Sequence, residues 1–304
     1  MRCRHDRFEV VMKTLVAGWF SFIEMGASAG DLLTRDLVCQ WLGENTNPYD
    51  VALVPPFKGG IDWHSVNPSD YKRVIFVCGP FGNGPPVDEM LIRFSHCDWI
   101  GINLSMLQSL DEWNPFKLLL ERDSSRTIRP DLAFLASAPP VMVVGKMLID
   151  SQPEYGDRDH HERVEQAIDK FLDSRDVAVL TIDTRLDQNA SPSKSSAQVE
   201  ALISCVNVVI TTRLHGLVLS LKNGIPAVDI DSVRHGAKLT RQAEVIGWRT
   251  ILSVDDLSQE LLEQAFEYCI SEQARSEAKE CSSRARIALM EVEIEFRRYL
   301  NTPS

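Results

Sequence analysis

The chain has 304 residues, 44% of them hydrophobic and 25% charged, with a formal net charge of −11. That length suits two domains better than one core. The acidic balance excludes nucleic acid or an anionic membrane surface as the main partner, because both select clustered positive charge. A small anion needs only two or three local cations.

Taken in chain order, apolar runs alternate with helical patterns. Residues 13–22 read as a strand, followed by a Gly-rich turn and a helix over 30–42, with Asp31 in its first turn where an acid suits the helix dipole. Residues 49–54 and 73–78 are further strands, the second a continuous run rich in β-branched residues, as in a buried parallel sheet. It runs into "GPFGNGPP", a second Gly-rich turn, and short strands follow at 99–104 and 117–120. "ASAPP" at 136–140 reads as a hinge. A second series then opens: strand 141–144, helix 159–172, strand 177–182, helix 196–204, strand 206–210, helix 213–222 and strand 226–230. From 255 to 300 the pattern is mostly helical, and 271–283 reads as an exposed stretch with a weak apolar face.

Strand-then-helix repetition predicts an α/β fold with two Rossmann-like domains and a cleft between them: an N-terminal domain over 1–138, a C-terminal one over 139–254, and a helical segment over 255–304. Ligands of such sheets meet the carboxyl ends of the strands. Positively charged residues near the start, then the apolar run 14–23 and Ala27-Ser28-Ala29, imitate a signal peptide; Glu9, Glu24 and the first strand argue against that reading. No run is long enough to span a bilayer, so an integral membrane protein is not expected. The seven cysteines (3, 39, 78, 97, 205, 269, 281) include no C-x-x-C pair, which points to reduced thiols, no zinc and a cytoplasmic location.

The stretch "VNVVITTRLHGL" breaks a local rule. Thr211 or Thr212 can cap the helix that follows, so Arg213 and His215 fall in its first turn, where the macrodipole disfavours cations and unsatisfied N–H groups favour an anion. Two readings stand: a functional anion site, or an arginine bound to a neighbouring carboxylate beside a hydrogen-bonded interior histidine.

"VVITTRLHGLVLSLKNGIPAVDID", with Lys238 and "AEVIGW" downstream, resembles the signature region of the polysaccharide pyruvyl transferase family. "AGWFSFIEMGASAGDLL", "RVIFVCGPFGNG" and "LLLERDSSRTIRPDLAFL" resemble other family segments in the expected order, so the resemblance spans nearly the whole chain. It implies a fold like that of two-domain (GT-B) glycosyltransferases, with the last helices crossing back. It also implies transfer of an enolpyruvyl unit from phosphoenolpyruvate to sugar hydroxyls, with phosphoenolpyruvate as donor substrate and no cofactor. Arg213 then binds the donor anion, His215 is acid or phosphate stabiliser, and the backbone at Leu214 and Gly216 adds donors. Lys146 stands where relatives tend to carry an arginine, and Lys238 matches a family lysine. Asp31 is a candidate base for an acceptor hydroxyl or simply a helix-start acid. Gly79, Gly82 and Gly84 permit close approach to a sugar or glycan acceptor, or serve a turn.

Arg122-Asp123 reads as a structural ion pair, His160-His161-Glu162 as solvated, and Arg234 and His235 as second-choice anion contacts. A nucleotide-sugar glycosyltransferase and a non-catalytic anion- or sugar-binding protein are the alternatives, and a homo-oligomer is left open.

Overall fold

The computed structural model describes residues 12–23, 25–150, 153–187, 193–234 and 238–301. Glu9, Glu24 and His235 therefore lie outside the described residues. The chain separates into two compact units, Met1–Pro139 and Pro140–Ser304.

In unit 1 the elements run β1 (Lys13–Gly18), α1 (Ala29–Glu44), β2 (Tyr49–Val51), β3 (Tyr71–Val77), β4 (Pro80–Phe81), α2 (Val87–Arg93), β5 (Asp98–Ile102), β6 (Ser105–Met106) and β7 (Leu118–Leu120). Five strands form one parallel sheet in the order β2-β1-β3-β5-β7, and β4 pairs with β6 beside it. Strand β1 ends earlier than its apolar run predicts, because Trp19–Ser21 turns as a short 3-10 helix. Both faces of the sheet are covered, as parallel sheets require. Val16, Ile75 and Val77 pack with Val38 of α1 on one face, while Leu15, Val74 and Phe76 meet Trp63, Phe81 and Phe94 on the other.

In unit 2 the elements are β8 (Met142–Met147), α3 (His161–Asp173), β9 (Val177–Thr181), α4 (Ser196–Ser204), β10 (Val208–Thr211), α5 (Leu214–Lys222), β11 (Ala227–Asp231), α6 (Lys238–Ile246), β12 (Ile251–Ser253), α7 (Gln259–Cys269) and α8 (Glu272–Leu300). The sheet is again parallel, in the order β12-β11-β10-β8-β9. Counted along the chain, both units have the doubly wound order 2-1-3-4-5, which reverses beside the first strand. The predicted α/β class with two Rossmann-like sheets is what the structure contains.

Two expectations are corrected here. The segment 271–283 is not an exposed stretch, because Ala274, Ala278 and Cys281 are fully buried. Their small side chains, three and four residues apart, make a stripe on which α8 packs closely. Nor are the histidines at the start of α3 solvated. His161 is buried with its Nδ1 against Asp159 Oδ1, and the His160 N–H donates to the Ser232 carbonyl at 3.0 Å. The ion pair at Arg122 is present and larger than expected: its guanidinium meets Asp123 at 3.2 Å and Asp131 at 2.9 Å.

Candidate functional site

In each unit the reversal of strand order opens a crevice between the carboxyl ends of two strands, β1 and β3 in the first and β8 and β10 in the second. The second carries the charged turn.

Thr211, Thr212 and Arg213 stitch that crevice. The Thr211 hydroxyl donates to the Met147 carbonyl at 2.8 Å, and the Thr212 hydroxyl accepts from the Ile149 N–H at 2.9 Å. The Arg213 side chain then crosses the end of β8. Its Nε donates to the Leu148 carbonyl at 2.5 Å, and Nη2 lies 3.2 Å from Asp183 just beyond β9. Both partners of that pair are nearly buried. Arg213 is the extended residue that precedes α5, and the Thr211 hydroxyl accepts its N–H at 3.0 Å. The threonines therefore anchor the strand end instead of capping the helix, and the amides of Leu214, His215 and Gly216 open α5 without a capping side chain.

His215 is exposed and has no hydrogen-bond partner among the described residues. The two halves of the Arg-Leu-His turn thus behave differently. Arg213 is bound to a carboxylate and a carbonyl, as the structural reading of the sequence has it, whereas His215 is not an interior histidine. Gly216 is there for packing: a Cβ on it would stand 2.1 Å from Thr211 Oγ1. Leu214 is half-buried, and Lys238, the first residue of α6, is exposed.

Lys146 does not join the turn. Side chains alternate along a strand, so Lys146 faces away from Met147, whose Cβ lies 3.4 Å from the position a Gly216 Cβ would take. It reaches α3 instead, donating to Asp169 at 2.6 Å and Glu165 at 3.1 Å. Burial works against its charge, but those two hydrogen bonds outweigh it and hold the ammonium above the usual lysine range. The expected donor contact at Lys146 is corrected by this geometry. Arg234 is likewise engaged, 2.7 Å from Asp255.

In unit 1, Asp31 closes a capping box: its Oδ2 accepts from the Ser28 N–H at 2.7 Å and from the Ser28 hydroxyl at 2.8 Å. Its helix-start role is the one realised. Gly79, at φ +78, lies under Trp19, where a Cβ would stand 2.2 Å from the indole. Gly82 and Gly84 line a hollow of about 300 Å³ with Trp19, Asn83, Leu107 and Gln108, and none of the described residues lining it is charged. Of Gly79, Gly82 and Gly84, the last alone would carry a Cβ into open space.

Sequence reasoning missed Asp183 and the bridging role of the threonines. An acid two residues past a strand end was the available signal for Asp183, but nothing in the sequence pairs it with Arg213. It also missed Asp229 and Asp231, which share one face of β11 and are buried. Burial, reinforced by the Asp231 charge, pushes the Asp229 carboxyl well above the usual range. Among the described residues no group of three or more His, Cys, Asp or Glu is placed to hold a metal ion, and no helix is long and apolar enough to cross a membrane.

A family model described as polysaccharide pyruvyl transferase matches residues 121–231, from the end of β7 to the end of β11. The resemblance drawn from the sequence is borne out over that segment, which contains the Arg-Leu-His turn. No curated protein matches the chain. Among solved structures, the chain is similar to a UDP-GlcNAc 2-epimerase from Methanocaldococcus jannaschii at 10% identity and a TM-score of 0.32, covering 92% of this chain and 99% of that one. It is similar also to the calicheamicin glycosyltransferase CalG4 at 11% identity and a TM-score of 0.35, covering 96% and 100%. With scores this low, the fold rests on the two sheets themselves.

Proposed function

We propose that this chain transfers a pyruvyl group from phosphoenolpyruvate to two hydroxyls of a sugar, in a polysaccharide or its precursor, and closes a cyclic ketal. The observation that carries the reading is the family match across 121–231, which includes β10 and the turn from Arg213 to Gly216.

The chemistry asks for an anion cradle and a proton carrier. The amides of Leu214, His215 and Gly216 receive an oxygen of the donor's phosphate or carboxylate, and the always-charged guanidinium of Arg213, the residue before them, adds to the field that attracts it. Lys238, exposed at the start of α6, is the second cation for the same donor. His215 gives a proton to the methylene carbon of the donor or steadies its phosphate. Protonation leaves an oxocarbenium-like centre at C2, which one sugar hydroxyl attacks. The C2–O bond to phosphate then breaks and a second hydroxyl adds to the same carbon, so inorganic phosphate leaves. The hollow of unit 1, lined by Trp19, Asn83 and Gln108, suits the uncharged ring of the acceptor. A reducing cytoplasm is the proposed compartment.

The test is phosphate release from phosphoenolpyruvate across a panel of sugars. Release with at least one sugar, abolished by His215→Ala, is expected. A melting temperature raised by uridine or guanosine diphosphate and unmoved by phosphoenolpyruvate would favour a nucleotide-sugar glycosyltransferase instead. Binding of phosphoenolpyruvate that Arg213→Ala abolishes, with no release on any sugar, would reduce the chain to a binding protein.

A further inference from the structure

At the end of α5 away from Arg213 and His215, two hollows adjoin. One, of about 340 Å³, is an apolar groove between three helices, lined by Val218 and Leu221 of α5, Ile246 of α6, and Ala285 and Leu289 of α8. That volume is at the lower end of the range for small-molecule sites, roughly 300–1,000 Å³. The other, of about 330 Å³, is polar and basic: Lys222, Lys279 and Arg286 surround it with the hydroxyl-bearing Ser282 and Ser283. Lys222, Ser282 and Arg286 line both, so the groove opens directly onto the basic pocket.

The charges of that pocket are not internally balanced. Lys222 pairs with Glu200 at 2.5 Å. Lys279 and Arg286 have no acidic partner among the described residues, and the residues three and four positions from each along α8 include no acid. In a chain of net charge −11, two unpaired cations beside an apolar groove ask for an anion with an apolar body.

We infer that this groove and pocket bind one anionic lipid, its chain between α5, α6 and α8 and its phosphate or carboxylate headgroup against Lys279 and Arg286. The occupant is a single amphiphile and not a membrane surface, since the net charge repels an anionic bilayer while the pocket needs only its own cations. A second copy of the chain fits less well. Along α8 the charges run Arg284 and Arg286, then Glu291, Glu293 and Glu295, then Arg297 and Arg298. An antiparallel pair of these helices centred near Val292 sets arginine against arginine and glutamate against glutamate, and a parallel pair does the same.

The experiment is calorimetric titration of the full chain with monomeric oleoyl lysophosphatidic acid. Lysophosphatidylcholine and inorganic phosphate serve as the zwitterionic and the tail-free probes. Saturable one-to-one binding of the anionic lipid is expected, at least tenfold tighter than either control. Lys279→Ala with Arg286→Ala should weaken it at least tenfold, because each cation contributes about fivefold. Leu289→Glu, at a side chain already 62% exposed, should block the groove without unfolding the chain. Equal affinity for the zwitterionic lipid, many-to-one binding, or affinity untouched by these variants would overturn the inference. So would a concentration-dependent dimer that Leu289→Glu dissolves. Donor turnover at the other end of α5 should be unchanged in both variants, which separates this outcome from the fate of the transferase reading.

Discussion

The two units wind their sheets in the same order yet fill the crevice at the reversal with opposite chemistry. In unit 1 an indole and two amides, from the turns after β1, β4 and β6, line a hollow with no charged side chain among the described residues. In unit 2 a nearly buried ion pair locks the corresponding strand ends, and α5 opens without a capping side chain beside an exposed His215 that has no hydrogen-bond partner among the described residues. Topology thus sets where a ligand can meet each sheet, and the few residues after the strands set what it can be. A neutral ring suits the first crevice and an anion the second.

The strongest test of that contrast is His215→Ala. An exposed side chain with no partner among the described residues contributes little to folding, so stability should move by no more than about 0.5 kcal/mol. Loss of an acid that acts on the donor should nevertheless slow phosphate release by roughly 10² to 10⁴-fold. Matched wild-type and variant rates would remove His215 from the chemistry.

Arg213→Ala should behave in the opposite manner. It removes the guanidinium from Asp183, a nearly buried carboxylate that keeps the Arg185 N–H at 2.9 Å, and breaking such a pair costs about 3–5 kcal/mol. Urea denaturation should therefore report a large loss of stability along with any loss of donor binding. A variant as stable as the parent would mean that the ion pair does not lock the strand ends.

A pair of glycine variants sharpens the contrast between the crevices. Gly216→Ala puts a methyl into Thr211 and should cost about 1–3 kcal/mol. Gly84→Ala meets nothing and should leave stability unchanged, while raising the KM for the acceptor sugar if the hollow holds it. An unchanged KM at Gly84 would move the acceptor elsewhere.

The sequence made the alternation of strands and helices plain, because buried parallel strands are continuous apolar runs and the helices carry one-sided patterns. The turn at Arg213 and His215 was equally visible, as cations placed against a helix dipole. What could not be read was the direction of side chains. Lys146 and Met147 are neighbours in sequence, and only the register of β8 sends one to α3 and the other towards α5. The Arg213–Asp183 pair spans 30 positions and depends on β9 and β10 flanking β8, a fact of topology that no local pattern encodes. Buried alanines on α8 were hidden for a related reason: a stripe of small residues scores as weakly apolar yet permits the closest packing.

The fourth strand of each sheet offers the finest comparison. In unit 1 it is β5, with Trp99, Gly101 and Ile102 buried; in unit 2 it is β11, which buries Asp229 and Asp231. Among the described residues neither oxygen of Asp229 has a hydrogen-bond partner, and burial first, then the Asp231 charge, raises its carboxyl well above the usual range. Burial raises Asp231 as well, against the Val233 N–H and the nearby His161, which both favour its charged form. A carboxyl whose folded value exceeds its unfolded one binds its proton more tightly when folded. Its contribution is complete below the ordinary carboxylate range, about pH 4, and drains away as pH rises towards the folded value. Unit 2 should therefore lose stability with rising pH, whereas the shifted carboxyls described in unit 1, Asp62, Glu121 and Asp131, are lowered instead. Asp229→Asn should flatten that slope as pH rises above about 4, with Asp231 accounting for what remains. Urea midpoints followed through the resolved 19F resonance of fluorotryptophan-labelled Trp248, the one tryptophan of unit 2, isolate the effect from the five tryptophans of unit 1. An undiminished slope in Asp229→Asn would mean that this buried acid is not what makes the second unit pH-sensitive.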